Sequence, residues 1–332
     1  MSNGPSPGRL SPRPLGRSGL RVTPIGLGCW QFSKGKGMFG DYWTVLEDSE
    51  IRRILAEALS GGIDWFDTAE SYGNGESEKA LSRGLRDLGK PPGEVVIATK
   101  WNPFLRTAAS ISATIGVRLK NLAPYPIDLH QVHNPLSLSP VEAQMKAMAG
   151  LVREKKIRSI GVSNFGRKRM IRAHEELNKN GLPLASNQVR YSLLDRRIEA
   201  NGVLESAREL GITIIAYSPL AQGLLSGKFH DDPELVKSRS GYRKYRRAFR
   251  RRGLEKSRPV INALRRIAPK YGATASQVSL NWLLVFHGET VVAIPGASRA
   301  EHVRDFTAAM TFRLSAEDLE ELDRVSAPFK TP

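Results

Sequence analysis

Asp67, Lys100 and His133 each follow a short apolar run, and successive members of this trio stand 33 residues apart. Asn164, Gln188 and Tyr217 continue the series at spacings of 31, 24 and 29, and Tyr72 lies just beyond the first member. Each residue alone has a bland use, as a helix cap, a strand-end lysine or a core histidine. Brought to one face, the set suits a particular chemistry. An aldehyde or ketone that accepts a hydride develops an alkoxide, and that alkoxide needs a proton from a positioned acid. A phenol titrates near pH ~10, and a nearby cation eases donation by stabilising the phenolate. Lys100 supplies such a cation, Asp67 the counter-ion that an interior lysine needs, and His133 a hydrogen bond to the carbonyl oxygen. His130, three residues before His133, falls on the other face of an alternating strand and reads as structural.

The spacing is about the length of one strand-plus-helix unit. Apolar runs at 25–28, 63–66, 95–98, 127–132, 158–162, 185–189, 213–216 and 291–294 read as strands. Helical patterns follow at 48–59, 77–88, 107–121, 140–153, 167–178, 199–210, within 258–286, and at 300–306. Near-continuous apolar strands alternating with helices predict a parallel sheet covered on both faces, and eight such units predict an α/β protein of the (β/α)8 TIM-barrel type. In that architecture the C-terminal ends of the strands carry the chemistry. Residues 15–332 are expected as one domain. The Pro-, Gly-, Ser- and Arg-rich residues 1–14 are expected as a disordered tail. Ser18-Gly19 predicts a tight turn of an N-terminal hairpin. A last helix over 315–325 is expected, with Ser315 as N-cap and Asp318 at N3.

Composition excludes several classes. With 40% apolar and 25% charged residues the chain is neither disordered nor a coiled coil. No run of apolar residues is long enough to span a membrane, and residues 1–14, with no apolar run after them, are not expected to be a secretory signal. A single cysteine, Cys29, excludes an internal disulfide framework and suits a reducing compartment, so a cytoplasmic location is expected. No metal-binding motif occurs. The net charge of +17 is concentrated, because residues 237–258 hold eleven basic side chains and one acidic one. Within this stretch Tyr242, Tyr245 and Phe249 fall at i, i+3 and i+7, which predicts a helical lid with its aromatic face inward and its arginines solvated. The same charge would also serve as an anion clamp for a pyrophosphate or a phosphorylated substrate, or bind nucleic acid through arginines and stacked bases.

The strand ends read Asp67-Thr-Ala-Glu-Ser-Tyr72-Gly, Thr99-Lys100-Trp101 and His130-Gln-Val-His133-Asn134. With Gly161-Val-Ser-Asn-Phe165, Ser186-Asn-Gln188, Ala216-Tyr-Ser-Pro-Leu220 and Ile294-Pro-Gly-Ala297, the chain resembles the aldo-keto reductase superfamily from Leu15 to about Val325. The resemblance implies Tyr72 as general acid, Lys100 and Asp67 as its tuning pair, and His133 as the substrate orienter. It implies that Ser163, Asn164 and Gln188 hold a nicotinamide carboxamide and that Tyr217 stacks on the ring. It places Ser218, Pro219, Leu220, Gln222, Gly223 and Lys228 at the pyrophosphate. Gly28, Cys29 and Trp30 fall beside the cofactor, and Gly296, Ser298, Arg299 and His302 at the adenosine end. The last three favour NADP (NADPH) over NAD, although Phe306 replaces the family's usual Asn.

Trp30, Trp101, Phe104 and Asn134 are expected to line a pocket for a small-molecule carbonyl substrate, of a branch resembling broad-specificity aldehyde and pyridoxal-type reductases. Gly35-Lys-Gly-Met-Phe-Gly40 matches a dinucleotide fingerprint. It does not sit between a strand and a helix, so it reads as a loop of the substrate wall. A nicotinamide-binding regulatory subunit without turnover is the alternative from another class.

Overall fold

The computed structural model describes residues 8–37, 42, 44–237 and 245–331. Eight parallel strands run in chain order around one sheet: β3 (Leu27–Gly28), β4 (Trp65–Asp67), β5 (Val96–Trp101), β6 (Leu129–Val132), β7 (Ser159–Ser163), β8 (Leu184–Arg190), β9 (Thr213–Tyr217) and β10 (Val291–Ile294). Parallel bridges from Ile25 to Ala293 and from Gly28 to Gly296 join the first and last strands and close the ring. The chain therefore forms a (β/α)8 barrel, as the strand–helix alternation predicts.

Alternation divides each strand into inward and outward residues. Outward residues such as Phe66, Ile97, Val132 and Ile214 join the large apolar cluster shared with the surrounding helices. Inward, Trp65, Ala98, Leu129, Ala185, Ile215 and Val292 form a second, smaller cluster that fills the barrel floor. Trp65 is fully buried there and its indole nitrogen donates to the Thr23 carbonyl at 2.9 Å. Trimming such a side chain to alanine costs about 3–5 kcal/mol.

An antiparallel hairpin, β1 (Arg13–Pro14) with β2 (Arg21–Val22), plugs the floor from below. Leu15 and Val22 join the interior cluster. The turn at Gly16 needs glycine twice over: its φ is +54°, and a Cβ would fall 2.3 Å from the Ala185 carbonyl oxygen. Residues 10–14, expected within the tail, are instead packed. Leu10 is buried and its N–H donates to the Met310 carbonyl at 2.8 Å, while Arg13 is buried and donates to the carbonyls of Leu284, Gly288 and Val291. Residues 1–7 lie outside the described residues.

The helices fall close to expectation: α1 (Asp48–Ser60), α2 (Glu76–Asp87), α3 (Ala109–Leu122), α4 (Val141–Arg153) and α5 (Arg167–Asn178). The single helix expected over 199–210 is instead two, α6 (Arg197–Ala200) and α7 (Val203–Leu210), separated at Gly202, whose φ is +76°. After β9 come α8 (Lys228–Asp231), α9 (Arg251–Ile267) and α10 (Ala275–Val285), then α11 (Ala300–Ala308) and α12 (Ala316–Ser326). The last begins as predicted, with the Ser315 hydroxyl accepting from the Asp318 N–H. No helix among the described residues is long and apolar enough to cross a membrane.

The basic stretch departs from its expected form. In its described part Arg246 is extended, Arg247–Phe249 is a short 3-10 turn, Arg250 is extended and α9 begins at Arg251, so Tyr245 and Phe249 share no single helix. Tyr245 is exposed, whereas Phe249 is buried edge-on against Phe229. Tyr242 lies outside the described residues.

Candidate active site

Above the apolar floor the inward positions turn polar: Asp67 at the end of β4, Lys100 on β5, Gln131 on β6 and Gln188 on β8, all buried. Lys100 and Asp67 form an ion pair with almost no exposure. The ammonium also donates to the Thr68 carbonyl at 2.8 Å and to the Tyr72 hydroxyl at 3.3 Å, which occupies its three donors. The second Asp67 oxygen accepts from Gln131 at 3.0 Å and from Gln188 at 2.8 Å. A buried ion pair is tolerable only when its remaining lone pairs and protons are met in this way.

The surroundings set the protonation states. Burial pulls the Lys100 ammonium down, but Asp67 and Tyr72 together outweigh it, so the group stays above its ordinary value and cationic. Burial pushes the Tyr72 phenol above its ordinary value by more than Lys100 draws it down. Lys100 therefore offsets only part of the effect of burial, and the phenol holds its proton at neutral pH. Burial, helped by Lys100, brings the His133 imidazole down to about 3, so it is neutral. The His133 ring meets Tyr72 edge-on with centroids 5.5 Å apart, and its Nδ1 lies 3.2 Å from the Ser71 hydroxyl. Burial raises the Cys29 thiol well above its ordinary value, which leaves it unreactive.

Tyr72 opens onto a cavity of about 1650 Å³. The ends of the barrel strands and the loops after them bring nearly all the expected residues to its wall. Gly28, Cys29, Trp30, Asp67, Phe104, His133 and Asn134 stand there with Ser163, Asn164, Gln188, Tyr217, Ser218, Pro219, Leu220, Gln222, Gly223 and Lys228. Gly296, Ser298, Arg299 and His302 line it as well. Lys100 lies beneath the wall and reaches the cavity only through Tyr72 and Asp67.

Trp101 is the exception and corrects the expected substrate wall. It is buried away from the cavity, and its indole donates to Ser110 at 3.0 Å. The reason is parity: Ala98 and Lys100 point into the barrel, so Trp101 points to the helices.

Asn164 sits in left-handed backbone at φ 60° and binds the Ser163 hydroxyl at 3.0 Å, while its oxygen accepts from the Tyr217 hydroxyl at 3.0 Å. Ser218, Ala221 and Gln222 also have positive φ, a run of uncommon conformations of the kind that collects at ligand loops. Gln188, expected at a carboxamide, directs its amide nitrogen to Asp67. The Gly35–Gly37 turn belongs to no strand–helix junction, since the next helix begins at Asp48; Tyr42 and Thr44 from that region do line the cavity. Gly40 lies outside the described residues. Among the described residues no cluster could hold a metal ion.

Sequence reasoning passed over Gln31, Tyr42, Ser71 and Gln131, and took Arg246 only as part of the basic stretch. Only Gln131 carried a signal, because it shares its parity with Leu129 and His133 on β6. Tyr42 stacks on Trp30 at 4.6 Å between ring centroids, and Trp30 in turn stacks on Tyr72 at 5.7 Å.

This arrangement of a buried ion pair, a phenol and a neutral imidazole at the mouth of a (β/α)8 barrel defines a class. The chain belongs to the Aldo/keto reductase family, whose profile matches residues 24–327. It is 33% identical over 319 residues to the chloroplastic pyridoxal reductase of Arabidopsis thaliana, covering 92% of this chain and 83% of that protein. It is 36% identical over 310 residues to an uncharacterized oxidoreductase of Mycobacterium tuberculosis, covering 93% and 91%. A thermostable aldo-keto reductase solved with the inhibitor epalrestat superposes with a TM-score of 0.75 at 32% identity, covering 95% of this chain and all of that one.

Proposed function

We propose that this protein is an NADP-dependent reductase that converts an aldehyde or ketone to the alcohol, with Tyr72 delivering the proton. The observation that carries this reading is the buried chain from Asp67 through Lys100 to the Tyr72 hydroxyl, which ends at the cavity. Family membership supports oxidoreductase chemistry.

The residues present fit a nicotinamide dinucleotide. Gln31, 6% exposed in the cavity wall, keeps its Oε1 without a partner among the described residues, and a Cβ on Gly296 would meet this amide at 2.3 Å. A buried unmet acceptor beside a close-packed glycine is what a polar ligand would satisfy. Ser163 and Asn164 would hold the carboxamide, Tyr217 the ring face, and the 218–228 loop with Lys228 the pyrophosphate. When bound, the nicotinamide supplies the hydride. Ser298, Arg299 and the N-terminus of α11 supply donors suited to a 2′-phosphate, which favours NADP over NAD.

The chain's own residues then act as follows. His133, neutral and with its Nδ1 engaged by Ser71, offers Nε2–H to the substrate oxygen and orients it. Tyr72 donates its proton as negative charge develops on that oxygen. Lys100 stabilises the resulting phenolate, and Asp67, fixed by Gln131 and Gln188, keeps Lys100 cationic and in place. Trp30 and Tyr42 wall the pocket on the Tyr72 side. A single buried cysteine accords with a cytoplasmic location.

Oxidation of NADPH with a panel of small aldehydes, including pyridoxal, tests the reading against Tyr72→Phe. Turnover that is largely lost in the variant is expected. NADPH binding with no turnover on any carbonyl would replace the reading with that of a cofactor-responsive binding protein.

A further inference from the structure

The cations around the cavity are not equivalent. Arg106 and Arg118 share Glu70, and Arg118 also pairs with Glu78. Arg190 is matched by Asp195 at 3.2 Å. Lys228 and Arg299 stand toward the end assigned to the cofactor's phosphates. Arg246 differs from Arg106, Arg118 and Arg190 in its pairing. It lines the cavity, donates to the Tyr42 hydroxyl at 3.3 Å, and has no carboxylate partner among the described residues.

Its place in the basic stretch is equally distinct. Arg247, Arg250, Arg251 and Arg252 are exposed and face water, whereas Arg246 is half-buried beside the aromatic wall. A solvated arginine needs no partner. One drawn into a cavity loses hydration, and a carboxylate or phosphate meets its planar fork in bidentate fashion. The position also suits a substrate. Tyr42, which Arg246 touches, stacks on Trp30, and Trp30 stacks on Tyr72, so the guanidinium sits across the aromatic wall from the proton donor. Its charge also draws on the Tyr217 phenol, which burial holds above its ordinary value. Ligand pockets usually enclose roughly 300–1,000 Å³, so a cavity of about 1650 Å³ has room for a second molecule beside a dinucleotide.

We propose that Arg246 is the anion-recognition residue of the substrate pocket, selecting carbonyl compounds that carry a carboxylate or phosphate remote from the reacting carbon. The proposal rests on the reductase reading above. It gives one arginine of the basic stretch a specific task and leaves the others to the solvated surface.

The test compares 4-oxobutanoate with its neutral methyl ester in wild type, Arg246→Gln, Arg246→Lys and the exposed-site control Arg250→Gln. Wild type is expected to prefer the acid. In Arg246→Gln the acid-to-ester ratio of kcat/KM is expected to fall about 10- to 100-fold, the size of a lost charge-assisted contact. Arg246→Lys should recover part of that ratio and Arg250→Gln should keep it. The NADPH dissociation constant, read by quenching of protein fluorescence, should rise less than about twofold in Arg246→Gln.

An unchanged ratio would overturn the proposal. So would a loss of NADPH affinity in step with the ratio, which would assign Arg246 to the cofactor's pyrophosphate. If no aldehyde turns over, calorimetric titration of the protein–NADP+ complex with succinate and with succinamide separates the two ideas. Succinate binding that depends on Arg246 keeps this inference while the reductase reading falls. Equal binding of the two probes, or none, removes this inference too.

Discussion

The Lys100 ammonium lies 3.3 Å from the Tyr72 hydroxyl and spends its other two donors on Asp67 and the Thr68 carbonyl. The phenol therefore meets a cation that cannot turn away, inside a site where burial keeps the proton on oxygen. Tyr72→Phe removes the acid and leaves the packing. Loss of a positioned general acid is worth ~10²–10⁴ in rate. The reductive kcat should fall by that order while NADPH binding, followed by fluorescence, holds. An activity within twofold of wild type would give the proton to another group.

Lys100→Met carries a second penalty, because it strands the Asp67 carboxylate. Breaking a buried pair from one side costs about 3–5 kcal/mol. Urea unfolding should show that loss, and the double variant Asp67→Asn/Lys100→Met should recover much of it. Activity should stay low in both. Stability that returns together with activity would mean that Lys100 is structural only.

Ser71 sets the tautomer of His133. Its hydroxyl, 3.2 Å from Nδ1, can donate there and leave the proton on Nε2. Ser71→Ala should lower kcat/KM for aldehydes by about 3- to 30-fold, with NADPH affinity kept. Ser71→Thr retains the hydroxyl and should recover most of the loss. Equal losses in Ala and Thr would point to packing rather than tautomer control.

Two histidines make stability depend on acid. Burial holds both His130 and His133 at about 3, against an ordinary value of 6.5. Below about pH 6.5 the unfolded chain takes up protons that the folded chain refuses, so stability falls as pH drops from there toward 3. The urea midpoint should decline across this window, and His130→Gln should decline less steeply. His130 lies off the cavity, so the variant should leave the pH dependence of kcat/KM unaltered. A midpoint that is flat from pH 7 to 4 would contradict the burial of both rings.

Much of this was legible in the chain. The period of roughly thirty residues gave the eight units, and strand parity gave the inward faces, because both follow from backbone geometry. Parity applied evenly would also have turned Trp101 outward and brought Gln131 in. Ser71 and Tyr42 were not legible: one sits in a loop and the other meets Trp30 only through tertiary packing. The net direction of the Tyr72 shift was not legible for a related reason. A residue's neighbours can be inferred from spacing, whereas the depth of its burial depends on the closed barrel. The lid helix failed because Arg246, between Tyr245 and Phe249, adopts extended backbone that breaks the face shared by these two residues.

The hairpin makes the last case, at the end of the barrel away from the mouth. Burial lowers the Arg13 guanidinium to about 10, still a cation at neutral pH, and its donors hold the carbonyls of Leu284, Gly288 and Val291. These carbonyls close the junction between α10 and β10, the strand that completes the ring. Arg13→Ala leaves them without this donor. A hydrogen bond from a charged group is worth about 1.5–3 kcal/mol, so a stability loss of that size is expected in urea unfolding. The mouth is built on other elements, so kcat/KM below the unfolding range should match wild type. A stability unchanged within about 0.5 kcal/mol, the range of an ordinary surface substitution, would return residues 10–14 to the dispensable tail that their composition suggests.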